Sequence, residues 1–154
     1  MVKFISEVSS NHSRDLDRCY EFIERSAEIG CYGVKFQLFK IDKLFTKDVI
    51  SKRLDIQSRS EWELPLSFLP KLKQRCEEMN IRFGCTPFYI EAVKELEEYV
   101  DFYKIASYEL LWLDLIRAAA EMKKELILSS GMANLEEIDE AVKISESVSG
   151  IKPT

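Results

Sequence analysis

The sequence lacks the features that mark small metal or redox modules. It contains one histidine, and its four cysteines are separated by 12, 45 and 9 residues, so no two lie in a CxxC pair. Zinc and redox modules usually require such closely spaced pairs. We therefore expect Cys19, Cys31, Cys76 and Cys85 to be reduced thiols that are mostly buried.

Long apolar runs and an excess of basic charge are also missing. No segment approaches the roughly 18 uncharged apolar residues that a membrane span needs, and the few apolar residues before Glu7 are too short for the apolar core of a signal peptide. The formal net charge of −5 argues against a nucleic-acid or anionic-membrane partner, because such binding depends on clustered Lys and Arg. These absences predict a soluble cytoplasmic protein whose partner is a small molecule.

The sequence does contain a regular alternation of short apolar runs and amphipathic segments. With 154 residues and 46% apolar content, we expect a single domain covering residues 1–154. The apolar runs 2–8, 33–39, 81–85, 102–106 and 126–128 predict strands. The amphipathic segments 16–29, 68–79, 90–100, 113–122 and 135–148 show apolar residues at helical spacing and predict helices.

Local signals mark the ends of these helices. Gly30 follows the first one as a C′ residue, and Pro70 lies in the first turn of the second, where a missing N–H does no harm. Asn134 and Glu137 predict a capping box at the start of the last helix.

The strands are apolar almost throughout, which is typical of a parallel sheet covered by helices. No GxGxxG turn follows the first strand, where residues 9–12 read SSNH, so an open dinucleotide-binding sheet is disfavoured. The predicted class is therefore α/β, a partial TIM-type barrel with about five of eight βα units.

Residues 40–66 interrupt the alternation with a connection too long for a simple βα unit. The segment is rich in Lys and Arg, and loops of this length are often functional or disordered. These charges are consistent either with simple exposure to solvent or with a loop that controls access of the substrate.

Polar residues occur where each predicted strand ends, which is where βα barrels carry their chemistry. They are Glu7, Lys35, Gln37, Thr86, Lys104, Ser107, Glu109, Ser129 and Ser130. Two cations with several hydroxyl donors at one rim suit a phosphate, or a phosphate with a carboxylate. Two alternatives stay open: each Lys extends outward to solvent, or Glu7 and Glu109 simply pair with the lysines. His12 is expected to be a hydrogen-bonded loop residue, and no metal site is predicted within this chain.

Five short strings stand in order at the successive strand ends: EVSSNH (7–12), VKFQ (34–37), CTPF (85–88), YKIASYE (103–109) and ILSSGM (127–132). Together they resemble the sialic acid (N-acetylneuraminate) synthase family. The resemblance implies the N-terminal part of a TIM-type barrel, with later strands and a small capping domain outside this chain. It also implies condensation of phosphoenolpyruvate with an N-acetylated amino sugar such as N-acetylmannosamine, with release of phosphate. A divalent metal, manganese or magnesium, is expected in the complete enzyme.

The resemblance also implies roles for individual residues. Glu7 is expected to contact sugar hydroxyls, and Glu109 to lie near the reacting carbons. The residues expected to bind substrate, mainly the phosphate and carboxylate of phosphoenolpyruvate, are Lys35, Gln37, Thr86, Lys104, Ser107 and Ser129. The sequence departs from the family pattern after Glu7 (Val8-Ser9 for Ile-Gly), after His12 (Ser13-Arg14 for Asn-Gly) and at Tyr108, where Gly is usual.

Two other functions remain in competition. One is a non-catalytic remnant or binding module that retains an anion site, and the other is a different phosphoenolpyruvate or phosphosugar barrel enzyme. We expect these 154 residues alone to make no sialic acid and to bind phosphoenolpyruvate weakly. Unpaired sheet edges and an uncovered apolar interior predict a homo-oligomer.

Overall fold

The computed structural model describes residues 2–154 and contains one parallel sheet in the strand order β1-β2-β3-β4-β5. The strands are Ile5–Ser9 (β1), Gly33–Leu38 (β2), Arg82–Pro87 (β3), Phe102–Ile105 (β4) and Glu125–Leu128 (β5). The helices are Leu16–Glu28 (α1), Ile41–Leu44 (α2), Lys47–Lys52 (α3), Leu54–Gln57 (α4), Leu69–Glu78 (α5), Ile90–Leu96 (α6), Leu113–Glu121 (α7) and Leu135–Ser149 (α8). Every strand is followed by at least one helix, so the prediction of a partial TIM-type barrel with five βα units is confirmed.

The helix ends follow the predicted local rules. Gly30, directly after the C-cap of α1, has a φ of 78°, a left-handed conformation that glycine adopts without steric cost. Pro70 lies in the first turn of α5. Asn134 caps α8, and its side chain and that of Glu137 form the two reciprocal hydrogen bonds of a capping box.

The strand register explains why the sheet has two different faces. Side chains alternate between faces along a strand, so residues aligned across the strands share one face. Two aligned rows lie on the face turned away from the helices, which we call the inner face. The lower row contains Glu7, Lys35, Gly84, Phe102 and Glu125, and the upper row contains Gln37, Thr86, Lys104 and Ile127.

The inner face is largely polar, so the prediction of an apolar interior was wrong. The apolar strand residues point the other way and form the main core with the helices, as Val34, Phe36, Phe83 and Tyr103 show. The strand sequences look apolar as a whole because glycines and the side chains that face the helices outnumber the polar side chains that face inward.

Phe102 is the large apolar side chain on the inner face. A Cβ built on Gly84 would lie 2.1 Å from its ring, and one built on Gly33 would lie 2.8 Å from it. Neither position can hold a side chain while the ring stays in place, so the two glycines make room for Phe102.

Residues 40–66, which the sequence predicts as a long connection of the functional or disordered kind, are folded into short helices. They form α2, α3, α4 and a 3-10 turn at Ser58–Trp62. A small apolar cluster of Phe39, Ile41 and Ile56 supports them. The apolar residues between the basic ones make this second cluster possible.

A charged cluster, here called the base cluster, lies at the amino ends of the strands. The Glu125 carboxylate accepts a hydrogen bond from the Tyr32 hydroxyl at 2.6 Å, pairs with Lys3 at 3.3 Å and pairs with Arg82. Arg82 also donates to the backbone carbonyl of Asp101 at 2.9 Å. Glu125 of β5 therefore reaches across the inner face to the segment that precedes β1.

The cysteines are free, and three of the four are buried, as predicted. Burial raises the pKa of Cys19, Cys76 and Cys85 to about 12, so these thiols stay protonated. Among residues 2–154, no helix combines the length and apolar character needed to cross a membrane.

Candidate functional site

The candidate site is built around Lys35 of β2. Its side chain is only 7% exposed, and its ammonium group pairs with the Glu7 carboxylate and donates to the Thr86 hydroxyl at 3.0 Å. Glu7 and Lys35 meet because they are aligned across β1 and β2, and Thr86 stands one row higher on β3. A lysine is costly to bury without such partners, and solvation at the outer surface is ruled out for it.

Lys104 adds a second cation one row above. It is half-buried, and its pKa is lowered first by burial and then by the nearby charge of Lys35, while Glu7 and Glu109 act in the opposite direction. Within residues 2–154, Lys104 forms no ion pair and no side-chain hydrogen bond. Its charge is therefore available to an anion.

Glu109 lies on the 3-10 turn Ser107–Glu109 that follows β4. Burial raises the pKa of its carboxyl group, against its backbone hydrogen bond and the charge of Lys104, which lower it. One of its oxygens, Oε2, is buried and meets no hydrogen-bond partner in the described chain. Such a carboxyl group is suited to hold or release a proton.

Ser107 and the turn after β5 are neighbours. A Cβ built on Gly131 would lie 3.4 Å from Ser107 Cβ and 3.8 Å from its Oγ. The Ser129 N–H donates to the Ile105 carbonyl at 3.1 Å, which holds this turn beside the end of β4. Gln37 is half-buried and stands opposite Thr86 in the upper row.

The structure thus brings Glu7, Lys35 and Thr86 into direct contact and places Lys104 and Glu109 within electrostatic reach of each other. Lys35 and Lys104 share the inner face. Ser107 and Ser129 belong to the two adjoining turns at the carboxyl ends of β4 and β5. The Glu7–Lys35 ion pair is present, as one of the open alternatives predicted, and the functional roles of all these residues remain predictions.

Three residues outside the predicted site set, His12, Arg14 and Tyr108, complete the description of this end of the sheet. His12 is fully buried, and its Nδ1 accepts a hydrogen bond from the Arg14 N–H at 3.0 Å, as expected for a loop histidine. Arg14 was noted in the sequence only as a departure from the family pattern, and no local signal predicts its contact with Ser60. Tyr108 is 78% exposed and therefore does not fill the space between Ser107 and Glu109.

The donor set suits an anion better than a metal ion. Two ammonium groups and the Thr86 hydroxyl on one face can bind phosphate or carboxylate oxygens. No group of three potential His, Cys, Asp or Glu ligands occurs among residues 2–154. The described residues do not form a metal site by themselves.

Comparison with known proteins identifies the lineage. The NeuB family model matches residues 22–152. The N,N'-diacetyllegionaminic acid synthase of Campylobacter jejuni is 34% identical over 91% of this chain and 45% of its own length. The pseudaminic acid synthase of Helicobacter pylori is 28% identical over 99% of this chain and 48% of its own length.

A solved structure agrees with these relatives. The N-acetylneuraminic acid synthetase of Leptospira borgpetersenii superposes with a TM-score of 0.85 at 30% identity, covering 95% of this chain and 50% of that protein. This chain spans about half the length of the relatives it matches. The resemblance to sialic acid synthases is confirmed, and the chain belongs to the NeuB family.

Proposed function

We propose that this chain is the phosphoenolpyruvate-binding part of a synthase that condenses phosphoenolpyruvate with an N-acetylated amino sugar. The observation that carries the proposal is the half-buried cation Lys104, which forms no ion pair among residues 2–154 and shares the inner face with Lys35 and Thr86. A buried or half-buried charge without a partner is unfavourable unless a ligand supplies one. The phosphate and carboxylate of phosphoenolpyruvate are suitable counter-charges.

The acceptor is proposed to be an N-acetylmannosamine-like amino sugar, and the product a sialic or related nonulosonic acid. Support comes from the relatives, which are named as synthases of legionaminic, pseudaminic and N-acetylneuraminic acids. Because the chain covers only part of each relative, we assign residues 1–154 to the N-terminal portion of a longer barrel. Its partners are then the two substrates and, through its sheet edges, other copies of the protein.

In the proposed reaction, the enol carbon of phosphoenolpyruvate attacks the aldehyde carbon of the open-chain sugar. Water then adds to the cationic carbon that bears the phosphate, and phosphate leaves. Fixed positive charge stabilises the negative charge that develops on the aldehyde oxygen. Holding both substrates in position lowers the entropic cost of bringing them together in the transition state.

The residue roles proposed for this reaction are those that the family resemblance implies. Glu109 is placed near the reacting carbons, where a carboxyl group with a raised pKa can hold or move a proton at Oε2. Glu7 has a 45% exposed side chain that orients sugar hydroxyls while it also pairs with Lys35. The anion-binding set is Lys35, Gln37, Thr86, Lys104, Ser107 and Ser129.

A divalent metal, manganese or magnesium, is proposed for the complete enzyme, with its ligands supplied by residues outside this chain. We accordingly propose that the 154-residue chain alone binds phosphoenolpyruvate weakly and makes no sialic acid.

Two assays on the isolated chain test this proposal. Titration of phosphoenolpyruvate by calorimetry or ligand-observed NMR should show binding that Lys35→Met abolishes and Lys94→Met leaves unchanged, because Lys94 is an exposed residue of α6 that pairs with Glu97. A product assay with manganese, phosphoenolpyruvate and N-acetylmannosamine should show no turnover. Absence of binding contradicts the anion site, and turnover contradicts the assignment of the metal ligands.

The role of Glu109 is tested in the longer enzyme. Glu109→Gln should lower kcat far more than it weakens phosphoenolpyruvate binding, because Glu109 is proposed to act at the reacting carbons. An unchanged kcat would make Glu109 a structural residue. Binding of phosphoenolpyruvate without turnover by the longer wild-type protein would favour the alternative of a binding module.

A further inference from the structure

The loop between β1 and α1 contains an unusual concentration of left-handed backbone. Ser9, Ser13 and Arg14 have φ values of 56°, 50° and 54°. Residues with a side chain pay a steric cost in this region, and such residues persist only where surrounding contacts hold them. Arg14 therefore occupies a conformation that its own backbone disfavours.

Two contacts hold Arg14 in place. Its N–H donates to Nδ1 of the fully buried His12 at 3.0 Å, and its guanidinium donates to the backbone carbonyl of Ser60 at 3.2 Å. The second contact joins the β1–α1 loop to the Ser58–Trp62 turn. We call the His12–Arg14–Ser60 arrangement the latch.

The Ser58–Trp62 turn has few other attachments: the Trp62 backbone lies beside the buried His12, and Leu64, two residues after the turn, belongs to the main core. None of its five residues is buried, and Arg59 stacks only on Trp62 of the same turn, with the guanidinium carbon 5.6 Å from the ring centroid. Local opening needs little free energy where few apolar contacts are lost.

The opposite side of the same insertion is fixed much more firmly. Lys40 pairs with Glu95 of α6 at 3.2 Å, and Lys43 pairs with Glu91 at 3.2 Å. The cluster of Phe39, Ile41 and Ile56 adds buried apolar contacts there. The insertion is therefore secured on the α6 side and fastened on the β1 side mainly by the latch.

We propose that the Ser58–Trp62 turn is a gate beside the carboxyl end of β1, and that Arg14 is the positioning residue that keeps it closed. The gate borders β1, the strand that carries Glu7, so under the proposed function it admits the neutral sugar. The closed state is easy to release, because the Arg14 side chain holds the turn through one exposed hydrogen bond to the Ser60 carbonyl.

Hydrogen exchange on the ligand-free chain tests the gate without depending on the proposed function. Arg14→Ala removes the guanidinium contact and keeps the backbone cost, whereas Arg14→Gly removes both. Both variants should exchange at least tenfold faster in peptides covering residues 58–63, with no change in peptides covering β2 and β3. Arg14→Gly should also unfold at a higher urea concentration than Arg14→Ala.

Lys43→Ala is the matched control, because it breaks an ion pair on the α6 side of the insertion and should leave residues 58–63 unchanged. The gate is overturned if Arg14→Ala exchanges like the wild type at these residues, if they are already unprotected in the wild type, or if exchange rises uniformly across the chain. In the longer enzyme, Arg14→Ala should alter KM for the sugar more than KM for phosphoenolpyruvate. The reverse order would show that the gate does not serve the sugar.

Discussion

The base cluster and the candidate site lie on the same inner face and contain the same kinds of side chain, yet they differ in how completely their charges are satisfied. At the base, Glu125 has three partners, namely Lys3, Tyr32 and Arg82. At the rim, Lys104 has no ion-pair partner among residues 2–154, and Glu109 Oε2 has no hydrogen bond there.

This difference separates a structural network from a binding site. A buried charge whose partners are all supplied by the protein gains little from a ligand, whereas a half-buried charge without one is relieved by an incoming counter-charge. Substitutions in the base cluster should therefore change the stability of the fold, and substitutions in the candidate site should change ligand binding. The following variants test that distinction.

The largest effect is expected at Gly84, which lies against the Phe102 ring. Gly84→Ala places a methyl group 2.1 Å from the ring in the starting geometry, so the ring or the strands must move. Such overpacking should lower the free energy of unfolding by about 3 kcal/mol, measured by urea denaturation. Gly131→Ala is the control, since its nearest contact is 3.4 Å and its expected cost is under about 0.5 kcal/mol. Failure of Phe102→Leu to rescue Gly84→Ala would show that the ring is not the obstacle.

The second effect concerns the base cluster itself. Glu125→Gln removes the charge that pairs with Lys3 and Arg82, and Glu125 is 21% exposed. We expect a loss of about 2 kcal/mol, less than for a fully buried pair because solvent screens the remaining charges. Lys104→Met, at the candidate site, should cost nothing, because Lys104 has no ion-pair partner among residues 2–154 and burial disfavours its charged form. Equal losses in Glu125→Gln and Lys104→Met would contradict the distinction between the base cluster and the candidate site.

The third effect is on binding at the rim. Lys104→Met should abolish the stabilisation by phosphoenolpyruvate, which amounts to about 1.4 kcal/mol at a concentration ten times Kd. Without ligand, the variant should be at least as stable as the wild type, because burial disfavours the charged form of Lys104. Thermal unfolding with and without phosphoenolpyruvate measures both quantities. A large loss of stability without ligand would show that Lys104 stabilises the fold and is not primarily a ligand-binding residue.

The smallest effect is a pH dependence caused by Glu109. Its carboxyl pKa is raised above the usual value of 4.5 in the folded state, so ionisation of Glu109 lowers the free energy of unfolding. This loss is complete at pH values above the folded-state pKa and absent at pH values below the unfolded-state pKa. Glu109→Gln should therefore be more stable than the wild type at pH 7 by less than about 1 kcal/mol. The difference should vanish as the pH falls below about 4.5. A constant difference at all pH values would point to packing in place of ionisation.

Much of the fold was predictable because its signals are local. Apolar periodicity, Gly30, Pro70 and the Asn134–Glu137 capping box each involve residues within a few positions of one another. The placement of Lys35 and Lys104 on one face followed from strand alternation and parallel pairing, which are also simple rules.

The features that were missed depend on distant contacts. The polar character of the inner face rests on which alternate residues point inward, and the role of Gly84 is visible only when Phe102 of the next strand is in place. The folded insertion depends on the cluster that Ile56 forms with Phe39, and the latch on the contact between Arg14 and Ser60. No local pattern in the sequence encodes these pairs.

The contact between Lys3 and Glu125 joins residues that are 122 positions apart, whereas each strand pairs only with its neighbours in sequence. During synthesis, the early βα units can therefore pair as they emerge, but the base cluster has to wait for β5. Formation of the base cluster is therefore a late, long-range step in a fold that otherwise assembles from contacts between neighbouring units. Mutations in the base cluster should mainly speed unfolding and leave the folding rate nearly unchanged.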